Sequence, residues 1–336
     1  MAKDIEKHFQ WLLEGSIRMP DGMLAAWVDH SDPSRPYEES TGYLITLLCY
    51  LYRLTGQDRF RIEASRTVRA LVRALKDRDG CGREGTIYLF DTSVCLRALG
   101  TFLSTFPDSE ALQDLERFRE LAQRLARTAC DMLRSRKAFL NPGFESGPKR
   151  WSETFNVHLI KAIHHVWTWM ETCGQPMDLR EIIDELMTER CREGLFFSDA
   201  SHSEANLHAH CYALEGLLAL EDRTREQVKK SLAEATERLA ELQTPEGGLP
   251  RRWPITGESW SATDTTAQAV RIWQCTDPVK YGDIISKGLE FLHSMAHPDG
   301  GFLYSQGTSH VNSWSTIFAV QALMWRAVEA DADWIV

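Results

Sequence analysis

One pattern recurs six times along this chain of 336 residues: a polar loop rich in aromatic residues runs directly into a helix that is apolar nearly all round. These helices recur at intervals of about 50 to 65 residues, which is too long for a simple two-helix solenoid repeat. The six predicted helix starts lie close to Ser40, Asp91, Phe155, Ala209, Asp264 and Ser313. The recurrence limits the fold more than any single motif does.

A second kind of helix is predicted between these units, in stretches such as RIEASRTVRALVRAL and REQVKKSLAEATERLAELQ. Their apolar residues recur at i, i+3, i+4 and i+7 with a charged opposite face, which is typical of an outer helix. The helices that follow the loops suit an inner ring that is buried on both sides. We therefore predict an all-α (α/α)6 barrel, or toroid, of six helical hairpins. Only short pieces such as GTIYLF are expected to pair as strands, and no linker divides the single domain predicted over 1–336.

Charge and cysteine usage exclude several classes of protein. The formal net charge of -10 argues against nucleic acid and anionic membranes as partners. The N-terminal MAKDIEKHFQWLLEG has no apolar core of signal-peptide length, and no stretch is long and apolar enough for membrane insertion. The eight cysteines are spread singly, without a CxxC pair. We expect a cytoplasmic protein with reduced thiols, and a homo-oligomer is left open.

Several stretches resemble known toroid proteins. DGGFLYSQG, together with Gln243 and Gln321, resembles the repeat of the terpenoid cyclase and protein prenyltransferase toroids. EESTGYLITLLCYLYRLTGQDRF, LFDTSVCLRALG, HAHCYALEGLLAL and NSWSTIFAVQAL are similar to bacterial toroid proteins of surface-polysaccharide gene clusters. These resemblances cover nearly the whole chain and imply the six-hairpin fold.

Loop residues are expected to meet at one mouth of such a barrel, where the inner helices direct their N-termini. Aromatic rings mixed with carboxylates, histidines and arginines suit stacking on sugar rings and hydrogen bonding to their hydroxyls. The candidates are Trp27, Tyr37, Glu38, Glu39, Asp91, Trp151, Glu153, His158, His202, Glu204, His208, His210, Arg251, Arg252, Trp253, Trp260, Asp264, Tyr304, His310 and Trp314. Within this set, Trp151, Trp253, Trp260 and Trp314 are expected to form stacking walls, and Arg251 and Arg252 to engage a substrate carboxylate or phosphate.

Asp264 has three interpretations. It can be a helix cap, as can Asp91 at the matching place in the second unit. It can be an acid, a base or a hydroxyl anchor in a carbohydrate enzyme. ATDTTA also resembles the DxDD(T/A) motif of class II terpenoid cyclases, which implies a proton-donating role for Asp264. Ala262 and Thr265 depart from that motif, and the second barrel domain usual in those enzymes is absent.

Histidines supply the other candidates for catalysis. His208 and His210 open the inner helix of the fourth unit, and His310 lies in the loop of the sixth. This layout resembles N-acylglucosamine 2-epimerase barrels, which implies a histidine from each of these units on either side of a sugar. The pKa of histidine lies close to neutral pH, so it suits proton transfer. The structural alternative is that His208 and His210 are bonded polar groups at a helix start.

Carboxylate pairs and metal ligands are weaker candidates. Glu153 with Glu204, or Glu39 with Asp264, could hydrolyse a glycoside across the mouth if their separation were suitable. His202, Glu204, His208 and His210 carry donor atoms but show no recognised zinc spacing. We expect neither a metal nor a cofactor.

The prediction from the sequence is a carbohydrate-active enzyme that acts on a sugar or uronate unit, in a small molecule or an oligosaccharide, by acid/base chemistry. His210 and His310 are the expected proton-transfer groups, with Glu204 and Asp264 as acidic partners. Epimerase or isomerase chemistry ranks slightly ahead of hydrolase or lyase chemistry. The alternatives are a single-domain terpenoid-cyclase-like enzyme and a non-catalytic binding toroid.

Overall fold

The computed structural model describes residues 3–28, 35–107, 115–141, 150–198, 203–255 and 260–336. Twelve α-helices lie in these ranges and follow one another along the chain. They are α1 (Lys3–Glu14), α2 (Glu38–Thr55), α3 (Asp58–Leu75), α4 (Leu89–Thr105), α5 (Leu115–Arg134), α6 (Leu159–Thr172), α7 (Arg180–Arg190), α8 (Leu207–Ala219), α9 (Glu226–Glu241), α10 (Thr263–Thr276), α11 (Gly282–Ser294) and α12 (Ser313–Met324). The even-numbered helices are the six that were predicted to follow the loops.

The even-numbered helices form a closed ring. Contacts run from α2 to α4, α6, α8, α10 and α12 in turn, and α12 packs back against α2. The outer helix α3 packs on α2, α5 on α4, α9 on α8, α11 on α10, and α1 on α12. The predicted (α/α)6 toroid is therefore confirmed.

Burial separates the two layers as the apolar patterns predict. In the inner helix α12, every residue from Ser313 to Met324 except Trp314 is buried. In the outer helix α9 the buried residues are Val228, Leu232, Ala235, Thr236 and Leu239, which lie on one face. The outer layer thus covers the ring with one apolar stripe per helix and leaves its charged face outside.

Short strands lie in the loops that precede the inner helices, at one mouth of the barrel. They are β1 (Trp27–Val28), β2 (Gly82–Arg83), β3 (Thr86–Tyr88), β4 (Phe139–Leu140), β5 (Cys191–Arg192), β6 (Leu195–Phe196), β7 (Ala205–Asn206), β8 (Arg252–Trp253) and β9 (Val311–Asn312). The pairs are β1 with β9, β3 with both β2 and β4, β5 with β6, and β7 with β8. The predicted pairing of GTIYLF within its loop is confirmed. The pair β5–β6 is a hairpin within one loop, whereas β1–β9, β3–β4 and β7–β8 connect loops of neighbouring units.

All eight cysteines are free thiols, and most of them are buried. Among the described residues no helix has both the length and the apolar character needed to cross a membrane.

Close contact between α6 and α8 depends on Gly216. A Cβ at this position would lie 2.5 Å from the Lys161 backbone nitrogen and 2.6 Å from the Ile160 carbonyl carbon. We expect Gly216→Ala to lower the free energy of unfolding by about 1–3 kcal/mol, because backbone atoms must move apart. The matched control is Gly282→Ala at the start of α11, where a Cβ would have no atom within 4 Å. Urea unfolding would contradict the expectation if both variants had the same midpoint as the parent.

Candidate functional site

A cavity of about 300 Å³, here called the mouth pocket, opens among the loops that precede the inner helices. It lies at the N-terminal ends of α2, α4, α6 and α8, whose free backbone N–H groups favour acidic ligands. Its lining residues are Ala26, Trp27, Tyr37, Glu39, Arg83, Tyr88, Phe90, Asp91, Arg150, Trp151, Ser152, His158, His208, Tyr212, Arg251, Tyr304 and Trp314. The expectation that loop residues meet at one mouth is met by these residues.

One side of the mouth pocket is a cluster of aromatic rings packed edge to face. Trp27 lies 4.7 Å from Trp314 and 5.2 Å from Tyr304, measured between ring centroids. Tyr37 packs on Trp314 at 5.9 Å. Such packing holds each ring in one orientation. The cluster presents rigid apolar faces to a ligand.

Asp264 lies beneath this cluster and is fully buried. The Arg251 guanidinium donates to both carboxylate oxygens, at 3.1 and 3.3 Å, and the Trp314 indole N–H donates to Oδ2 at 3.2 Å. Burial alone would raise the pKa of Asp264, but Arg251, His208 and the hydrogen bonds outweigh it and lower the pKa to about 2. Asp264 is therefore an ionised group that positions Arg251 and Trp314.

The capping interpretation of Asp264 and Asp91 does not describe the helix starts. The N-cap positions of α10 and α4 are Ala262 and Tyr88, and neither makes a side-chain cap bond. Both aspartates lie inside the first turn instead, where a carboxylate is favoured by the helix dipole.

Glu39 and Asp91 form a carboxyl pair at the pocket, and each is less than a tenth exposed. The pKa of Asp91 is raised well above its ordinary value, first by burial and then by the charge of Glu39, with partial compensation from Arg83. Glu39 accepts hydrogen bonds from the Tyr37 hydroxyl and, at 3.4 Å, from the Tyr212 hydroxyl. Burial raises the pKa of Glu39 above its ordinary value, and the hydrogen bond from Tyr37 and the charge of Lys161 oppose that shift only in part. The pair therefore combines a carboxyl group of raised pKa, Asp91, with a hydrogen-bonded Glu39.

His158 and His208 are the histidines that line the pocket. The Nδ1 of His158 lies 2.6 Å from Asn156 Oδ1, and the Nδ1 of His208 lies 2.6 Å from Gln268 Oε1. An amide oxygen can only accept, so each Nδ1 carries the proton and each Nε2 keeps its lone pair. Burial lowers the pKa of His158 to about 3 and that of His208 to about 4, so both rings are neutral at neutral pH.

The structure does not bring His210 and His310 to one ligand. His210 is fully buried against Phe196, whose backbone N–H donates to His210 Nδ1 at 3.2 Å. Successive residues of a helix turn by about 100°, so His208 and His210 point in nearly opposite directions and only His208 faces the barrel axis. His310 packs at 6.1 Å on the ring of Trp27 and lies outside the lining set. The expected histidine pair is replaced at the pocket by His158 and His208.

Several other predicted residues lie away from the pocket. Arg252 pairs with Glu204 at 3.5 Å on the surface, because side chains alternate along β8 and only the preceding Arg251 turns inward. Trp253 packs under the Arg238 guanidinium at 5.5 Å. Trp260 is 52% exposed.

The acidic candidates Glu38 and Glu153 also have structural partners. Glu38 pairs with Arg78 at 2.5 Å. Glu153 accepts the backbone N–H of Arg150 at 3.0 Å and closes the short 3₁₀ turn Trp151–Glu153. His202 lies outside the described residues. The expected pairing of Glu153 with Glu204 thus has no counterpart in the mouth pocket.

Sequence reasoning missed one group of lining residues: Arg83, Tyr88, Phe90, Arg150 and Tyr212. Arg83 reaches the pocket because β2 and β3 form a tight hairpin in which Glu84 and Gly85 both have positive φ. Positive φ at both central residues is typical of a type I′ turn, which usually carries Asn-Gly or Asp-Gly. The Glu-Gly pair flanked by alternating residues was therefore the available signal. For Tyr212 the signal was its position four residues after His208 on one helix face.

Metal ligands are not gathered at the pocket or elsewhere in the described ranges. No group of three or more His, Cys, Asp or Glu side chains there is arranged to hold a metal ion.

Comparison with known proteins supports the fold assignment. No family model matches the chain, and no curated protein matches it in sequence. Among solved structures it is similar to an unsaturated glucuronyl hydrolase specific for heparin, with TM-score 0.70, 14% identity and coverage of 97% of this chain and 96% of that one. It is equally similar to the cellobiose 2-epimerase of Bacillus thermoamylovorans B4167, with TM-score 0.70, 12% identity and coverage of 97% and 100%. At these identities the likeness establishes the toroid fold alone.

Replacing the buried carboxylate tests the electrostatics of the site. We expect Asp264→Asn to lower the free energy of unfolding at neutral pH by about 1–3 kcal/mol, less than for a wholly buried pair because Arg251 is 31% exposed on its side chain. The folded-state pKa of about 2 lies below the ordinary value of 3.8, so the contribution is present above about pH 4 and is lost as the pH falls towards 2. Urea unfolding should show a smaller difference in the free energy of unfolding between parent and variant near pH 3 than at neutral pH. A difference independent of pH would contradict an ionised Asp264.

Proposed function

We propose that this protein is a carbohydrate-active enzyme that acts on a uronate unit of an oligosaccharide by acid/base catalysis in the mouth pocket. The observation that carries the proposal is the buried pair of Asp91 and Glu39 in the lining of the mouth pocket, where burial and the charge of Glu39 raise the pKa of Asp91 well above its ordinary value. Residues 1–336 act as one domain in this proposal, since the inner ring draws on helices from α2 to α12.

The charges around the pocket support an acidic sugar as the ligand. Three guanidinium groups line it, from Arg83, Arg150 and Arg251. Arg251 is held by Asp264 and lies 4.7 Å from the centroid of the Tyr304 ring. Guanidinium groups bind carboxylates in bidentate fashion, and fixed aromatic faces suit the C–H side of a sugar ring. A hydrocarbon ligand would gain nothing from these charged groups, whereas an acidic sugar would bind to them.

The carboxyl pair suits hydrolytic chemistry. Asp91 donates its proton to the leaving oxygen as the bond to the sugar breaks, while Glu39 in its ionised form takes a proton from the attacking water. A raised pKa is what keeps a general acid protonated at neutral pH. This reverses the order expected from the sequence, in which epimerase chemistry ranked ahead of hydrolase or lyase chemistry. The fold relationship to a glucuronyl hydrolase is compatible with the new order.

Sugar epimerisation is the second candidate, and His158 and His208 favour it. Both rings are neutral, line the pocket and pack edge-on against Trp151, at 5.1 and 5.9 Å between centroids. One Nε2 could take the proton from the carbon beside a carbonyl while the other ring returns a proton to the opposite face. If the enzyme is an epimerase, His158 and His208 therefore carry out the proton transfer that was expected of His210 and His310 from the sequence.

The remaining alternatives receive less support. A cyclase needs Asp264 as a protonated acid, whereas Arg251 and the hydrogen bonds keep its pKa at about 2. A non-catalytic toroid would hold its carboxyl groups in caps and helix contacts, whereas Asp91 and Glu39 face the pocket.

Removal of the acid tests the leading proposal. We expect Asp91→Asn to lower kcat on uronate-terminated disaccharides by about 10²–10⁴-fold, because amide nitrogen cannot replace the transferred proton. The parent activity should fall as the pH rises through the raised pKa of Asp91, since the acid must be protonated. Asp131→Asn, on the exposed face of α5, is the matched control and should keep full activity. Equal activity in both variants would contradict the assignment of Asp91.

Incubation in D₂O separates the two kinds of chemistry. Epimerisation exchanges the hydrogen beside the carbonyl for solvent deuterium, whereas hydrolysis releases a sugar without exchange at that carbon. We expect NMR spectra to show released sugar and no such exchange. If deuterium exchange occurred and His208→Gln abolished it, epimerisation would replace hydrolysis as the leading proposal. If the sugar bound but was neither hydrolysed nor exchanged, a non-catalytic toroid would be favoured.

A further inference from the structure

A second cavity, of about 250 Å³, lies at the opposite end of the barrel and is here called the far cavity. It is lined by the C-terminal halves of α2, α4 and α6 and by the segment that contains Asp333 and Trp334. On α4, ten residues separate Asp91 at the mouth pocket from Thr101 at the far cavity, which corresponds to about 15 Å of helix. Lys161, bonded to Glu215 at 2.7 Å, lies between the two ends on α6. The far cavity is therefore separate from the proposed active site.

Three guanidinium groups converge on the far cavity, from Arg53, Arg97 and Arg223. Arg223 is paired with Glu171 at 2.8 Å. Arg97 donates to the backbone carbonyl of Asp333 at 2.6 Å, and Arg53 lies 5.2 Å from the centroid of the Trp334 ring. Within the described part of the chain, neither Arg53 nor Arg97 has a carboxylate at salt-bridge distance. The lining thus includes three guanidinium groups and one acidic residue, Asp333, whose charge acts on Arg97.

Neutral polar groups of the same cavity also lack partners. Thr101 and His165 are 5% and 3% exposed, and both line the cavity. Thr101 Oγ1, Thr168 Oγ1 and His165 Nδ1 have no hydrogen-bond partner among the described residues. Buried polar atoms are nearly always bonded, so these atoms beside the cavity are suited to bond with a ligand. Together with the arginines they provide donors for an oxyanion.

Interaction with the C-terminal ends of the helices does not account for all the polar groups of the far cavity. The C-terminal carbonyls of α2, α4 and α6 carry partial negative charge, which a nearby cation offsets. That role accounts for one guanidinium at each helix end, but it leaves Thr101 Oγ1, Thr168 Oγ1 and His165 Nδ1 without partners among the described residues. A tetrahedral oxyanion has enough acceptor oxygens for both guanidinium and hydroxyl donors.

We propose that the far cavity is a binding site for the phosphate group of a small anionic molecule. Arg97 provides the central charged contact, Arg53 and Arg223 flank it, and Thr101 completes the hydrogen bonding. The site does not depend on the function proposed for the mouth pocket, so either can fail without the other.

Isothermal titration with inorganic phosphate tests the site, with ionic strength held constant by chloride. We expect saturable binding that Arg97→Gln weakens at least about tenfold, because a charge-assisted hydrogen bond is lost. Thr101→Val removes one hydroxyl with little change of shape and should weaken binding by a few-fold. Arg61→Gln on the exposed face of α3 is the matched control and should leave the Kd unchanged. Thermal unfolding of each variant shows whether it is folded.

Two further arms identify the occupant. Sulfate should compete with phosphate if any tetrahedral oxyanion is accepted, and glucose 6-phosphate should bind at least as tightly as phosphate if the natural ligand is a phosphate ester. Arg83→Gln in the mouth pocket should leave phosphate affinity unchanged. The proposal would be overturned if Arg83→Gln abolished phosphate binding while Arg97→Gln left it unchanged. It would also be overturned if the parent protein showed no saturable phosphate binding.

Discussion

One buried carboxylate, Glu215, ties together the inner ring on which the pocket depends. It accepts from Lys161 Nζ at 2.7 Å and from Arg271 Nη2 at 2.5 Å, and all three side chains are almost completely buried. Arg271 in turn donates to Gln321 Oε1 at 2.7 Å, and both cations donate to the backbone oxygen of Val336. Helices α6, α8, α10 and α12 are thereby connected through one hydrogen-bonded cluster. Loss of Glu215 would leave two cations in a region that water cannot reach, which is far less favourable than the intact cluster.

The cluster also sets the electrostatics of the barrel interior. Burial lowers the pKa of Lys161 to about 8, with Glu215 opposing the shift, so the amine is still largely charged at neutral pH. Its ammonium lies about 5 Å from the ring centroids of Tyr43 and Tyr212. Tyr212 reaches from there to Glu39 in the mouth pocket. Tyr212 therefore contacts both Lys161 at the centre of the ring and Glu39 of the proposed acid/base pair, and the charge of Lys161 favours the ionised form of Glu39.

Prediction from the sequence was accurate for the elements and uneven for the site. The periodicity located all six inner helices, because a helix buried on both sides must be apolar nearly all round. The same reasoning could not identify Lys161 or Arg271 as core residues, since a buried cation is stable only when a partner from another helix is present. Arg251 and Arg252 looked equivalent in the sequence, yet strand alternation directs only Arg251 inward. His208 and His210 are separated in the same way by the turn of their helix.

The architecture follows from the amino-acid sequence alone: six helical hairpins with polar, aromatic loops, for which ring closure buries every apolar edge. Local periodicity is enough for this result because each helix carries its own burial pattern. The set of charged groups that lie close together, in contrast, depends on how the helices pack. The pKa of Asp91 is raised by burial and by Glu39 from another helix, and the pKa of Asp264 is lowered by Arg251 from a loop and by Trp314 from α12. Desolvation and charge–charge interactions depend on distances through space, and residues far apart in the chain set those distances.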